Sequence, residues 1–307
     1  MNSILNILPQ HIQTNVARIA SNRWTNLEEI RLRVNQVVEL VFQTGSERLK
    51  NTIMTEQDSI YVLNQLSEHS LYRMEKELQE GFITIEGGHR VGLAGKVLMK
   101  NKSDVQLQRI TFFNIRIAKE AIDVALPLIP HLIQQQRYQN TLFIGPPKTG
   151  KTTLIRDIAR LISDGNPYLG AKRVGIVDKR SEIAASIEGT PQHSVGRSTD
   201  VMDACPKAAG MMMMIRSMSP EVLVIDEVGK KADVEAIMEA ILSGVTIICT
   251  VHGHSLRNIL KRPSMRMLFE NDVFANIVEL SSKTESEIQA DMLDVSGTKI
   301  MSQRFIK

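Results

Sequence analysis

The stretch Thr141-Leu142-Phe143-Ile144-Gly145-Pro146-Pro147-Lys148-Thr149-Gly150-Lys151-Thr152-Thr153 restricts what this chain can fold into more than any other. A short apolar run enters Gly-x-x-x-x-Gly-Lys-Thr and leaves through Leu154-Ile155-Arg156-Asp157-Ile158-Ala159-Arg160-Leu161. Strand, phosphate loop and helix are the context in which such a loop is functional. The glycines let the backbone curl, so that consecutive N–H groups and the start of the helix point at the β- and γ-phosphates of a nucleotide. Gly145, Pro146, Pro147, Lys148, Thr149, Gly150, Lys151, Thr152 and Thr153 are therefore the expected ATP-binding set. Lys151 reaches phosphate as a mobile point charge, and Thr152 offers its hydroxyl to Mg²⁺. Leu154, Ile158, Leu161 and Ile162 recur at helical spacing and predict one face buried against a sheet.

A second signature follows. Glu221-Val222-Leu223-Val224-Ile225-Asp226-Glu227 reads as an apolar strand ending in two acids, with Asp226 75 residues after Lys151. Alone this is a weak signal; at that distance from a phosphate loop it is specific. Asp226 is expected to hold the Mg²⁺ environment through water, and Glu227 to act as general base on the attacking water. Asp233 to Leu242 reads as a helix burying Val234, Ile237, Met238, Ile241 and Leu242, with Gly244 ending it. The buried strand after it finishes in Thr250-Val251-His252-Gly253-His254. Thr250 is the favoured partner of the water or the γ-phosphate, with His252 second. A zinc site on His252 and His254 lacks further Cys or His ligands nearby.

Hydrolysis develops negative charge on the transferred phosphoryl, which an arginine usually neutralises. Arg180, Arg197, Arg216, Arg257, Arg262 and Arg266 are the candidates. Arg197, in a glycine-bearing loop, and Arg216, just before the Asp-Glu strand, rank first. An arginine supplied by a neighbour would make activity depend on assembly into a ring.

At 307 residues, 43% apolar and 23% charged, the chain is large enough for two globular domains. A net charge of +3 without a dense Lys/Arg run argues against nucleic acid as a partner. Cys205 and Cys249, the two cysteines, suggest neither a disulfide scaffold nor a metal site and fit a reducing compartment. Neither a membrane span nor export is expected, for want of a long apolar run or a charged-then-apolar leader.

Residues 1–120 read as a smaller α+β domain for assembly or partner binding, and 121–307 as the nucleotide domain. Met1 to Arg18 predicts a short helix, with Trp24 expected in the core or against a helix. Glu29 to Val34 and Val37 to Phe42 read as paired strands. Thr55 is placed to cap a helix, with Asp58 completing an acidic box, and Ile60, Leu63, Ser67, Leu71, Met74 and Leu78 are expected on one face. Gly81 to Val97 is a hairpin signal around Gly87-Gly88. His89 beside that turn is expected as a surface or turn residue rather than a metal ligand, while Arg90 could touch phosphate or a neighbouring subunit, or be solvated or salt-bridged. Ile110 to Ile117 closes the small sheet. Pro127 and Pro130 split the next helical stretch in two, and Gln134 to Asn140 is a polar lead-in. In the second domain, Lys172 to Asp178 reads as a parallel strand ending in an acid at the ligand-binding edge. Ser181 to Ile187 predicts a short helix, Gly189 to Asp200 a mobile loop, and Met211 to Met214 with Ile215 and Met218 a face packed on the sheet.

Gly81 to Gly95, Ile115-Arg-Ile-Ala-Lys-Glu120, the phosphate loop, Thr199-Asp-Val-Met-Asp-Ala-Cys-Pro-Lys-Ala208 and Ile215-Arg-Ser-Met-Ser-Pro-Glu221 together resemble the stage III sporulation protein AA family, over nearly the whole chain. The resemblance implies a cytoplasmic ATPase of the mother cell at the base of the multi-protein channel into the forespore, with membrane-embedded channel proteins as partners. Its second domain is similar to the RecA-like motor of type II and type IV secretion ATPases, which act as hexamers. In that comparison Thr250-Val-His252 resembles a histidine box, and Asp178-Lys179-Arg180-Ser181-Glu182 stands where an acidic box is usual. Lys179 there replaces a carboxylate, Lys148 stands where the phosphate loop usually has glycine, and Lys230 where arginine is common. Asp178, Glu182 and Glu227 remain as candidate bases. The competing expectations are a nucleic-acid translocase, which the charge pattern disfavours, and a nucleotide-gated scaffold that hydrolyses little.

Overall fold

The alternation in the first third of the chain becomes an antiparallel sheet, and the apolar runs of the last two thirds a mostly parallel one. The computed structural model describes residues 2–20, 23–67, 78, 81–101, 104–282, 287–294 and 296–306. These form two compact units, Met1–Lys119 and Glu120–Lys307.

In the first unit β1 (Leu27–Arg33), β2 (Val37–Phe42), β3 (Gly45–Ile53), β4 (Phe82–Ile85), β5 (His89–Asn101) and β6 (Asp104–Arg116) lie in the order β3-β2-β1-β6-β5-β4. Ile30, Leu32, Val38, Leu40, Phe113 and Ile115 share one core with Ile4, Leu8, Ile12, Val16 and Val62 of three helices, Asn2–Asn6, Gln10–Ala20 and Glu56–Leu66. One helix expected at the N-terminus is thus two. Pro9, which lacks an N–H, stands just before the second. The capping box is present: Asp58 N–H donates to Thr55 Oγ1 at 3.1 Å and Thr55 N–H to Asp58 Oδ2 at 2.8 Å. Of the face expected beyond it, Ser67 and Leu78 are buried and Leu63 packs on the core, but Ile60 is 61% exposed and Val62 and Leu66 are buried as well; Leu71 and Met74 lie outside the described residues. Trp24 packs half-buried on the core.

On the other strand face, Arg31, Arg33, Arg90 and Arg116 surround a concavity of about 440 Å³ beside Gly92 and Ala94. Arg31 pairs with Glu29 and Arg33 with Glu39, both at 2.7 Å, and the Arg90 guanidinium lies 4.5 Å from the Phe82 ring centre.

In the second unit a small hairpin, β7 (Ile133–Gln134) and β8 (Arg137–Tyr138), precedes β9 (Thr141–Gly145). Then come β10 (Val174–Asp178), β11 (Thr199–Asp203), β12 (Val222–Ile225), β13 (Thr246–His252), β14 (Asn276–Ser282), β15 (Glu287–Leu293) and β16 (Lys299–Ile306). The order is β11-β10-β12-β13-β9-β14-β15-β16; the first six run parallel and the last two close it as an antiparallel meander. Successive strand residues feed two separate cores. Phe143, Ile176, Val224 and Ile248 join the phosphate-loop helix Lys151–Asp164, while Leu142, Val177, Leu223 and Cys249 join the helices Lys207–Met218 and Lys231–Leu242. Burial on both faces is why these strands read as unbroken apolar runs. Of the methionine-rich stretch, Met211 and Met214 are buried, but Met213 and Met218 are exposed, because only one face of their helix meets the core; Leu242, the last residue of its helix, is 85% exposed.

Three further expectations are corrected. The two helical pieces before the phosphate loop are a single 3₁₀ run, Leu126–Leu132, containing Pro127 and Pro130. Its approach is fixed by Asp157, whose carboxylate accepts the N–H groups of Asp123 at 3.2 Å and Ala125 at 2.8 Å. Ser181 to Ile187 is not a helix: Ser181 and Ala185 take φ of 50° and 49°, and the Asp178 carboxylate captures the local N–H groups. The stretch from Gly189 contains the start of β11, parallel to β10.

His89 is buried rather than on the surface: its Nδ1 accepts the Ala118 N–H at 2.9 Å. Burial pulls its pKa from 6.5 to about 4. Between those values the unfolded chain takes up the proton and the folded chain does not. The His89 contribution is therefore complete above pH 6.5 and is lost as pH falls through 4. His89→Asn keeps an acceptor without titrating. Denaturant unfolding between pH 7 and 4.5 should show the wild type losing about 2–3 kcal/mol more than this variant.

Candidate active site

All the parallel strands of the second unit end at one sheet edge, and the residues just past those ends assemble there. From β9 the chain turns through Gly145-Pro146-Pro147-Lys148-Thr149-Gly150 into the helix Lys151–Asp164. The turn is fixed from within: Thr149 Oγ1 donates to Pro146 O at 2.7 Å. Gly150 takes φ +76°, and a methyl group on it would overlap Ile288 of β15. As the helix N-cap, Gly150 brings no side chain to the first-turn N–H groups of Lys151, Thr152 and Thr153, which fits an anion as their acceptor. The Lys151 ammonium donates to Gly145 O and Pro146 O, each at 2.8 Å, and its third N–H faces His252 Nδ1 at 3.3 Å. Burial lowers its pKa, with Asp226 and Glu227 pulling it back up.

Because β13 lies between β9 and β12, Thr250 near its end sits beside the Asp-Glu pair. Thr250 Oγ1 donates to Asp226 Oδ1 and accepts the Glu227 N–H at 2.8 Å. The other Asp226 oxygen accepts from Thr152 Oγ1 at 2.7 Å, so an oxygen of the phosphate-loop helix and one just past the end of β12 stand side by side. That pair suits Mg²⁺, which takes few protein oxygens and completes its shell with phosphate and water. Glu227 adopts φ +53°, a left-handed conformation that costs a non-glycine residue about 1–2 kcal/mol. Its Oε1 meets His252 Nε2 and its Oε2 lies 3.5 Å from Arg180 Nη1. An ammonium only donates, so His252 Nδ1 accepts from Lys151 and its Nε2–H donates to Glu227. Thr250 and His252 are thus both in the site; His252 contacts Lys151 and Glu227.

Asp178 is 2% exposed, and its carboxylate accepts the N–H groups of Glu182, Ile183 and Ala184 at 2.9, 2.8 and 2.9 Å. It is a structural acid. Arg156 of the phosphate-loop helix grips the same turn from the other side, donating to Glu182 O at 2.8 Å and to Ile183 O. The turn uses the main chain of Glu182 and presents Arg180 to Glu227. Arg197 and Arg216 are not brought to this edge. Arg197 donates through its main chain to Asp164, the last residue of the phosphate-loop helix, at 2.8 Å. Arg216 is in the last turn of the helix leading into the start of β12. Both stand at the opposite ends of the parallel strands. Sequence reasoning also missed Lys207, whose Nζ donates to Glu227 O. A lysine opening a helix, against the helix dipole, was the available signal.

The pattern described as sporulation stage III, protein AA, matches residues 1–300. The chain is 44% identical to stage III sporulation protein AA of Bacillus subtilis strain 168 over 307 residues, 100% of this chain and 99% of that protein. It belongs to the stage III sporulation protein AA family. Among solved structures, the ATPase DotB of Yersinia pseudotuberculosis is similar at TM-score 0.61 and 13% identity, covering 94% of this chain and 80% of that one. The pilus retraction motor PilT with bound ADP is similar at TM-score 0.59 and 12% identity, covering 91% of this chain and 82% of that one. These likenesses show the fold: a RecA-like P-loop domain with a mostly parallel sheet, preceded by a smaller α+β unit.

Within this family chain the exposed Lys148 holds φ +65°, a conformation glycine adopts without cost. Lys148→Gly should leave stability unchanged or raise it by up to about 1 kcal/mol, the relief being partly offset by the freer unfolded chain. Gly150→Ala should lower it by about 1–3 kcal/mol through strain and overlap with Ile288. Denaturant unfolding of the two variants checks both signs.

Proposed function

We propose that this chain is a Mg²⁺-dependent ATPase that works as an oligomeric, hexameric motor. On this reading it energises or assembles the mother cell–forespore channel during endospore formation. The observation that carries it is the convergence of Lys151, Thr152, Asp226, Glu227, Thr250 and His252 at one sheet edge. Family membership carries the sporulation setting.

The phosphates of ATP take the first-turn N–H groups, and Lys151 exchanges the Gly145 and Pro146 carbonyls for phosphate oxygens. Lys148 lies on the same loop. Thr152 would hold Mg²⁺ directly and Asp226 through water; when bound, the ion offsets phosphate charge. Glu227 takes a proton from the attacking water as its oxygen bonds to the γ-phosphorus. The bond to the bridging oxygen breaks, and ADP leaves with the electron pair. Thr250 holds Asp226 and Glu227 in place for this. Glu182 shapes the turn beside the base.

Charge on the departing phosphoryl calls for an arginine. Arg180 is at the site; Arg197, Arg216 or the group around Arg90 would act from a neighbouring copy. Membrane-embedded channel proteins are the proposed partners, at the cytoplasmic face of the mother cell, and nucleic acid is not among them. No helix among the described residues is long and apolar enough to cross a membrane. A scaffold that binds ATP but hydrolyses little is the second reading, favoured by the Arg180 and His252 contacts that occupy both Glu227 oxygens.

Steady-state ATPase activity against protein concentration, with mass by light scattering in Mg-ATP, decides between them. Activity should rise more steeply than concentration as hexamers form, and fall at least a hundredfold in Lys151→Ala and Glu227→Gln. Mixing Arg90→Ala with Lys151→Ala should restore turnover if arginines act between copies. Tight ATP binding without turnover in an assembled ring selects the scaffold.

A further inference from the structure

Glu227 is held at more points than a general base needs for its own chemistry. Its N–H donates to Thr250 Oγ1 at 2.8 Å, and the next N–H, of Val228, to Thr250 O at 2.8 Å. These anchors tie the chain to β13 on one side. The Glu227 carbonyl points the other way and accepts from the Lys207 ammonium. Between them the residue is kept at φ +53°. A non-glycine residue held there, with partners on every polar group, is the pattern in which local strain serves a site.

Lys207 is otherwise hard to account for. It is the first residue of the helix Lys207–Met218, following Pro206, where a cation opposes the helix dipole. It is half-buried. Burial lowers its pKa, with Asp233, Glu227 and Asp226 drawing it back up and Lys179 opposing them. Asp233 also receives the N–H groups of Gly229 at 3.4 Å and Lys230 at 3.1 Å, closing the turn that follows Glu227. An ammonium taken out of water against a helix dipole persists where its hydrogen bond and its charge neighbours compensate it. Here they are the proposed base and the two acids beside it.

We propose that Lys207 is a positioning residue for the base. By pinning the Glu227 carbonyl it holds the left-handed turn that sends the carboxylate toward His252 and the phosphate loop, while Asp226 points to Thr152. Lys207 touches neither substrate nor the reacting atoms, and its effect passes through Glu227. The inference rests on the ATPase reading for its kinetic consequence, but not for its structural one.

The test uses the full-length chain and the variants Lys207→Met and Lys207→Arg. Hydrogen exchange of the segment spanning residues 222–230 should rise at least fivefold in Lys207→Met and stay near wild type in the helix 151–164. In Lys207→Met, kcat should fall at least tenfold with ATP affinity within twofold, and Lys207→Arg should recover part of the loss. In a Glu227→Gln background Lys207→Met should cost no further activity. Unchanged exchange in residues 222–230 overturns the proposal whether or not the wild type turns over ATP. Additive losses in the double variant, or weakened ATP binding at unchanged kcat, also overturn it. An inactive wild type with the expected exchange pattern instead removes the ATPase reading and leaves the positioning intact.

Discussion

One buried hydroxyl organises this site. Thr250 Oγ1 donates a hydrogen bond to Asp226 and accepts one from the N–H of Glu227, so it separates two adjacent acids into two directions. The Thr250 side chain is fully buried, where a hydrogen bond is strong and an unmade one costly. Thr250 can do this because β13 occupies the space between the phosphate-loop strand and the Asp-Glu strand. Moving β13 elsewhere in the sheet would leave Asp226 facing only Thr152 and Glu227 without its main-chain anchor.

Around that hydroxyl, buried charges serve the backbone, even where, as in Asp157 with Arg160, they also pair with one another. Asp178 satisfies three N–H groups, Arg156 two carbonyls, Asp157 two N–H groups and Lys207 one carbonyl. Loops at the ends of parallel strands have no ladder of their own, and each unmet polar group inside the protein would be costly. Side chains from neighbouring helices and strands supply the missing partners, which makes irregular turns as specific as the strands that carry them.

Much of this was legible because it is local. The phosphate loop announces itself through glycine spacing and the apolar run before it, and the Thr55–Asp58 box through three residues of separation. The apolar run within Glu221 to Glu227 is legible as a strand, Val222–Ile225, for the same reason. Arginine placement was not legible. Arg197 and Arg216 are near the right segments in sequence, but the strands they precede run away from them toward the site, and Arg180 reaches Glu227 only because Asp178 and Arg156 shape its turn. The helix expected at Ser181 to Ile187 failed on that same carboxylate. Lys148 stands where glycine is usual, and its left-handed backbone is the structural counterpart of that substitution, while the exposed Leu242 shows helical periodicity running on to a last residue that no core covers. The meander from β14 to β16 carried no motif and was missed.

That meander has a consequence for how the protein is made. Phe143 of the phosphate-loop strand pairs with Thr250 on one side and Val278 on the other, both more than a hundred residues later in the chain. Ile288, which sits under Gly150, comes later still. During synthesis from the N-terminus, the phosphate loop and its strand emerge near mid-chain, but that strand waits with open edges until β13 and β14 are out. The six-stranded unit before them has its own long-range pairing, β1 with β6, but is complete once Arg116 has emerged. A nascent chain therefore carries a finished first unit long before it can carry a working phosphate loop, so a product truncated before β14 would be recognisable at its front and inert at its centre.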